Sequence, residues 1–362
     1  MVIKFGSLLN MTILVTGGAG FIGSNFILNW LKKNDEKIIN LDNLTYSGNL
    51  ENLKSVEKSL NYQFVKGNIC DAKLIENTLN ENKPRAILHF AAESHVDRSY
   101  HDPEIFIQTN IVGTFRLLEG ARNFFDNLVE KDKKKFRFLH VSTDEVYGSL
   151  SAKDLAFKET NKYQPNSAYS ASKASSDHLV RVWNHTYNLP VLITNCSNNY
   201  GPYQFPEKLI PLCIFKALKG QDIPIYGDGQ QVRDWLYVLD HCNGINAVLE
   251  KGTIGETYNI GGWNEKTNLE TVNEICKTLD EFAPKKDGSS YSDQISFIKD
   301  RPGHDRRYAV DASKISKELS WKPAESFENG IRKTVRWYIN NQKWVQSAQS
   351  KEYKDWIKKN YK

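Results

Sequence analysis

Gly17-Gly18-Ala19-Gly20-Phe21-Ile22-Gly23 follows the apolar run Ile13-Leu14-Val15 and opens a helical pattern at Phe21. The reading is strand, glycine turn, helix. Glycines spaced three apart let the backbone turn tightly and approach a pyrophosphate, whose charge is met by N–H groups at the helix N-terminus. Glycines also mark plain turns, so context has to support the motif. Asp42 supplies it, ending the next strand-like run Ile38-Ile39-Asn40-Leu41 about twenty residues on, where a carboxylate binds ribose hydroxyls. No arginine lies beside the glycines or immediately after Asp42. A 2′-phosphate would meet a carboxylate without a countercharge, so NAD is expected rather than NADP.

Further strand-like runs alternate with helical patterns: Tyr62-Gln63-Phe64-Val65, Ala86-Ile87-Leu88-His89-Phe90, Phe136-Arg137-Phe138-Leu139-His140-Val141 and Val191-Leu192-Ile193. Such alternation predicts an α/β fold, a Rossmann-type doubly wound parallel sheet with helices on both faces. After Asn199 the alternation weakens and Gly/Pro-rich stretches enter, which predicts a smaller, mixed C-terminal substrate-binding lobe. The expected organisation is 11–199 for the dinucleotide domain with later returning segments, 200–343 for the lobe, and 344–362 for a surface tail. Thr257-Tyr258-Asn259-Ile260 and Gln294-Ile295-Ser296-Phe297 read as returning strands and 269–282 as a helix. Met11 offers an alternative start after ten residues. Residues 103–128 read as one helix, apolar around much of its girth, that wants cover from a partner helix or a second subunit.

Composition narrows the function classes. The chain has 362 residues and a formal net charge of +5. Its densest basic run, residues 131–137, lies between a helix and a strand and reads as a solvated loop, so no nucleic-acid partner is expected. No run approaches the roughly 20 apolar residues of a membrane span. Removing Ile13-Leu14-Val15 as part of a leader would destroy the glycine unit. The five cysteines, Cys70, Cys196, Cys213, Cys242 and Cys276, are far apart and include no Cys-x-x-Cys. They predict reduced thiols, a cytoplasmic location and no metal site.

Chemistry concentrates in two segments. Ser142-Thr143-Asp144-Glu145 follows the fifth strand, where open parallel sheets gather ligands. Tyr169 and Lys173 stand four apart on a predicted helix and share a face. A phenol with its pKa near 10 is a poor base at neutral pH until a nearby ammonium favours the phenolate. The pair suits removal of a hydroxyl proton while hydride leaves the same carbon. Tyr-x-x-x-Lys is common in helices by chance, and only the dinucleotide fold makes it telling. Phe90-Ala91-Ala92-Glu93-Ser94 adds small residues where a dinucleotide passes close to backbone.

With these motifs the chain resembles the extended short-chain dehydrogenase/reductases and, within them, the dTDP-glucose 4,6-dehydratase family. The resemblance spans about 11–344 and is carried by the glycine loop, Ala91-Ala92-Glu93-Ser94-His95-Val96-Asp97-Arg98-Ser99, Thr143-Asp144-Glu145, Arg233-Asp234-Trp235-Leu236-Tyr237-Val238 and Arg301-Pro302-Gly303-His304-Asp305. It implies that Tyr169 takes the glucose 4-hydroxyl proton as hydride passes to NAD, that Lys173 tunes the phenol, and that Thr143 holds the same oxygen. Ionised Glu145 would then take the C5 proton, and protonated Asp144 would donate to the departing 6-hydroxyl. Hydride returning to C6 gives the 4-keto-6-deoxy sugar. Adjacent carboxyls with opposite tasks need their pKa values pushed apart.

The resemblance assigns the cofactor to Gly17, Gly20, Phe21, Ile22, Gly23, Asp42, Asn43, Leu44, Thr45, Asn68, Ile69, Phe90, Ala91, Ala92, Ser94, Thr109, Tyr169, Lys173 and Asn199. It assigns substrate to Ser94, Thr143, Asn198, Lys208, Leu209, Pro224, Ile225, Tyr226, Arg233, Asn268, Asp300, Arg301, Pro302, Gly303 and His304. Arg233 is the physical choice for a diphosphate, because a guanidinium fork bonds two oxygens at once. Tyr226 would stack on the base, and Asn268 could equally cap the following helix. Asn68 replaces the family's aspartate after the third strand, leaving an uncharged amide oxygen for the adenine amino group. The family also implies a homodimer through a four-helix interface in which 103–128 pairs with 168–187. Competing readings are a nucleotide-sugar 4-epimerase, which needs no acid-base pair for C–O cleavage, a UDP-glucuronate decarboxylase, which should offer a basic residue to the carboxylate, and a non-catalytic NAD-binding sensor.

Overall fold

The computed structural model describes residues 10–300 and 304–348. Thirteen strands are present among them: β1 (Asn10–Thr16), β2 (Lys37–Asp42), β3 (Tyr62–Lys66), β4 (Pro84–His89), β5 (Arg137–Thr143), β6 (Val191–Cys196), β7 (Asn198–Tyr200), β8 (Ile223–Tyr226), β9 (Val232–Tyr237), β10 (Thr257–Ile260), β11 (Glu265–Thr267), β12 (Ile295–Ile298) and β13 (Arg307–Tyr308). Seven form one sheet in the order β10-β6-β5-β4-β1-β2-β3. Every pairing in it is parallel. Side chains alternate across a strand, so a sheet buried on both faces needs apolar residues at successive positions. β1 shows this directly. Ile13 and Val15 enter the core on one face with Phe26 and Leu88, while Leu14 enters the other with Ile39, Ile87 and Leu117.

Strand order reverses between β1 and β4, which opens a crevice at the carboxyl ends of the strands. The register brings those ends together, pairing Thr16 with both Leu41 and His89, and Thr143 with Cys196. The smaller lobe has its own core of Tyr200, Ile210, Ile223, Trp235, Ile275 and Phe327. In it β9 pairs with β7, β11 and β13, and β8 with β12. The helix Val238–Lys251 returns the chain to the large sheet, burying Val238, Ile245 and Val248 there before β10.

Two expectations change. Residues 103–128 do not form one regular helix: Pro103–Phe106 and Thr114–Asp126 are α-helical, and Ile107–Gly113 between them is a π-helix. Asn110 in that wider turn reaches the Glu93 backbone and the Ser172 hydroxyl, contacts no local periodicity encodes. The tail expected from residue 344 begins by docking, with Val345 buried in the helix Gln342–Ser347 and Trp344 donating from Nε1 to Asn52 Oδ1 at 2.7 Å. Met11, the alternative start, lies within β1, while residues 1–9 and 349–362, with the rest of the surface-tail reading, lie outside the described residues. Among the described residues no helix is long and apolar enough to cross a membrane.

Candidate active site

One cavity runs along the crevice from the glycine loop to Lys208. At one end its wall is backbone. Gly17 has φ +73°, and a Cβ there would sit 2.5 Å from the Ala91 nitrogen. A Cβ on Gly23 would sit 2.4 Å from the Gly17 carbonyl oxygen, so the helix Phe21–Leu31 approaches the turn only because that side chain is missing. Asp42 is clamped beside the loop, with Oδ2 accepting from the Ala19 N–H at 2.9 Å and Oδ1 from Leu44 N–H at 2.8 Å. Burial raises its carboxyl above the ordinary value, and these two N–H groups pull it back.

Every residue expected to hold the cofactor lines this cavity except Leu44, whose contribution is the backbone clamp on Asp42. Asn68 Oδ1 already accepts the Cys70 N–H at 2.9 Å, in the turn that leads to the helix Ala72–Asn82. One lone pair of that oxygen and the amide N–H groups remain for a ligand.

At the other end the wall is side chains. Thr143 closes β5, and its hydroxyl accepts the Glu145 N–H at 3.3 Å, capping the short 3₁₀ turn Asp144–Tyr147. That cap places the two carboxyls in different surroundings. Asp144 is 2% exposed and Glu145 keeps partial exposure. Burial, then the Glu145 and Asp234 charges, drive the Asp144 carboxyl well above its usual range against the opposing Arg233. These surroundings favour the neutral acid at Asp144.

Tyr169 is placed by the helix Ala168–Tyr187, started by a capping box in which Ser167 and Ser170 satisfy each other's backbone N–H groups. Lys173 follows one turn later, donating to the Val141 carbonyl at 2.9 Å and lying 3.4 Å from His140 Nε2. Burial lowers its pKa to about 8, although Asp177 one further turn along pulls the other way. The lowering of the phenol expected from this ammonium meets a larger opposing effect. Lys173 is engaged beneath the strand, and burial followed by the Glu145 charge pushes Tyr169 well above 10.

Substrate-side expectations divide. Ser94, Thr143, Asn198 and Lys208 line the cavity, with Lys208 Nζ 3.0 Å from the Ser94 carbonyl. Leu209, Pro224, Ile225, Tyr226, Arg233, Asn268, Asp300 and His304 stand outside that wall. Arg233 is buried, donating to the Val232 and Asp305 carbonyls at 2.8 and 3.0 Å and lying over the Tyr308 ring. His304 Nδ1 is 2.6 Å from Asp300 Oδ1, and the His304 ring meets the Tyr226 ring edge-on. Asn268 is not the helix cap. Thr267 takes that place, bonding the Glu270 N–H in a capping box. Arg301, Pro302 and Gly303 lie outside the described residues.

With this geometry in view, likeness to other proteins is informative. The family model described as GDP-mannose 4,6 dehydratase matches residues 14–334. The dTDP-glucose 4,6-dehydratase of Shigella flexneri is 56% identical over 359 residues, covering 97% of this chain and 99% of that protein. The chain belongs to the dTDP-glucose 4,6-dehydratase family. Among solved structures, the family member from Bacillus anthracis in complex with NAD superposes with a TM-score of 0.83 at 47% identity, covering 94% of this chain and all of that one. The Streptomyces venezuelae dTDP-glucose 4,6-dehydratase with NAD and TDP bound gives 0.85 at 44%, covering 93% and 99%.

Sequence reasoning missed several residues at this dTDP-glucose 4,6-dehydratase family site. Arg98 stacks on the Tyr46 ring at 3.8 Å and pairs with Glu207 at 3.1 Å, tying the loop after β2 to the segment before Lys208. Tyr46 and Glu207 both line the cavity. Arg98 lies inside a motif that carries the resemblance, but its spacing gives no sign of these partners. Beneath the floor, His140 Nε2 stands 3.2 Å from Asp177 Oδ1, and Tyr163 donates to Asp177 Oδ2 at 2.9 Å. The i, i+4, i+8 spacing of Tyr169, Lys173 and Asp177 was available as a signal for that last residue. Among the described residues no group of three or more His, Cys, Asp or Glu is arranged to hold a metal ion.

Proposed function

We propose that the protein converts dTDP-glucose to dTDP-4-keto-6-deoxyglucose and water, as an NAD-dependent hydro-lyase. One observation carries this reading: two adjacent carboxyls of unlike burial, Asp144 and Glu145, sit at the end of β5 in the same cavity wall as Tyr169. An epimerase breaks no C–O bond and has no task for the pair. Gly17, Gly23 and Asp42 fit a dinucleotide, since added atoms would fill the cradle that they leave. Bound there, NAD would supply a two-electron acceptor at C4 and donor at C6, and the positive charge of its oxidised form would favour the Tyr169 phenolate.

The chain's own residues manage the protons. Thr143 and Tyr169 hold the 4-hydroxyl, and Tyr169 takes its proton. Glu145 removes the C5 hydrogen made acidic by the 4-ketone. Asp144, whose neutral form burial favours, donates to the 6-hydroxyl so that it leaves as water. General acid-base groups of this kind contribute ~10²–10⁴-fold each. The substrate side is completed by Lys208, Arg233, Asp300 and His304 from the smaller lobe, with the lobes dividing at 199/200. A homodimer fits the exposed Ile105, Ile107, Val182 and Tyr187 on two segments already packed through Phe115 and Trp183, which a second copy would cover as a four-helix interface. Five unpaired cysteines support a cytoplasmic location.

Incubation with C4-deuterated dTDP-glucose tests the reading. The product should be lighter by one water and carry deuterium at C6. An unchanged mass would mean epimerisation or no reaction, and either result would remove the proposal.

A further inference from the structure

The glycine turn is held from behind as well as shaped by its missing side chains. Gly20, Phe21 and Ile22 line the cavity, whereas Ala19 stands outside that wall and is fully buried. Its polar groups are tied on both sides. The Ala19 N–H donates to Asp42 Oδ2 at 2.9 Å. The Ala19 carbonyl accepts from the Asn49 N–H at 3.0 Å and from Asn52 Nδ2 at 2.9 Å. Asn52, buried in the short 3₁₀ turn Leu50–Val56, accepts in turn at Oδ1 from Trp344 Nε1 at 2.7 Å.

Resting on the reading that NAD lies against this turn, we propose that Trp344 is a positioning residue for the cofactor, which acts through Asn52 to hold the Ala19 carbonyl outside the cavity wall. An indole N–H is a donor only, so it draws the Asn52 amide oxygen toward itself and leaves the amide N–H groups facing Ala19. Both bonds therefore select the same orientation of one side chain. The indole is seated among other rings, its centroid 5.8 Å from that of Tyr203 and 5.1 Å from that of Trp337, against the core of the smaller lobe. A chain of contacts thus runs from that core to the glycine turn.

The consequence is electrostatic. In a trans peptide the Ala19 carbonyl and the Gly20 N–H point opposite ways. The Gly20 N–H is bonded to the Gly17 carbonyl at 3.2 Å. Rotation of the peptide would break that bond and bring a carbonyl's partial negative charge toward a wall that has to meet a pyrophosphate. Apparent affinity falls with the fraction of molecules whose turn is competent to bind. The dehydratase reading gives the hold a use, because the hydride taken from C4 is returned to C6 by the same cofactor, which stays bound in between.

NAD affinity of the full chain, measured by calorimetry through a double-substitution cycle, tests this role. Trp344→Phe keeps a ring among its aromatic neighbours but removes the donor to Asn52. NAD binding should weaken by roughly tenfold, the scale of one buried acceptor losing its partner, with kcat at saturating NAD unchanged. Asn52→Ala should weaken it at least as much, and adding Trp344→Phe to Asn52→Ala should bring no further loss, because both cut the same chain. Native affinity in Trp344→Phe, or losses that multiply in the double variant, would overturn the proposal. A second measurement needs no variant and so survives a failure of either to fold. Coupling is reciprocal, so NAD should slow amide hydrogen exchange in residues 342–348 of the native protein, which lie outside the cavity wall. Exchange there that is indifferent to NAD would overturn the proposal. A native protein that binds no NAD would instead overturn the cofactor reading on which it rests.

Discussion

At the glycine loop the cavity wall is made of backbone, with Gly17 and Gly23 leaving room that a single carbon would fill. Across the cavity, around Asp144, Tyr169 and Lys173, the wall is made of buried titratable side chains whose proton affinities burial has shifted. The first region works by shape, because absent atoms admit a pyrophosphate to N–H groups at a helix end. The second works by proton affinity. A change of shape should therefore damage the first and a change of charge at constant shape the second, with little crossing between them.

Tyr169→Phe should show the largest effect, a ~10²–10⁴-fold loss of turnover, because the ring remains but no oxygen can take the 4-hydroxyl proton. NAD affinity measured by calorimetry should stay close to native, and a parallel loss of both would erase the distinction between the regions. Gly17→Ala should do the converse. Its Cβ meets the Ala91 backbone and its φ is one that L side chains rarely adopt, so NAD binding should weaken by roughly 10²-fold. Arg233→Lys keeps the charge but loses the planar fork, and should raise KM for dTDP-glucose about tenfold with a smaller change in kcat. The smallest effect concerns pH. Lys173 is held down to about 8 by burial, so its ammonium is lost as pH rises through that value and activity should fall there. Asp177→Asn removes a charge that favours the ammonium and should move this alkaline limb to lower pH in a kcat/KM profile. A limb that stays in place would show that Asp177 does not act on Lys173.

The same division explains what was legible in the sequence. The cofactor end is local: a strand, a glycine turn and Asp42 fall within one short stretch, and their spacing alone implies the cradle. Tyr169 and Lys173 were legible from i, i+4 spacing, but their electrostatic setting was not. Lys173 finds Val141 and His140 only when β5 packs beneath the helix Ala168–Tyr187, and burial there opposes the lowering expected for the phenol. Most substrate-side residues came from the resemblance, because Arg233, Asp300 and His304 gather through pairings in the smaller lobe that no run of sequence displays. The π-helix Ile107–Gly113 and the docking of Trp344 on Asn52 likewise depend on partners far along the chain.

The division of labour between the two adjacent carboxyls is most directly tested by incubating Asp144→Asn and Glu145→Gln with dTDP-glucose in heavy water, following deuterium at C5 and loss of water from the sugar. Both substitutions keep shape and hydrogen bonding. Asp144→Asn should exchange the C5 hydrogen without expelling the 6-hydroxyl, because the base is intact and the acid is gone. Glu145→Gln should do neither. Faster C5 exchange in Glu145→Gln than in Asp144→Asn would show that the acid and base are assigned the wrong way round, and complete dehydration by both variants would contradict the elimination mechanism.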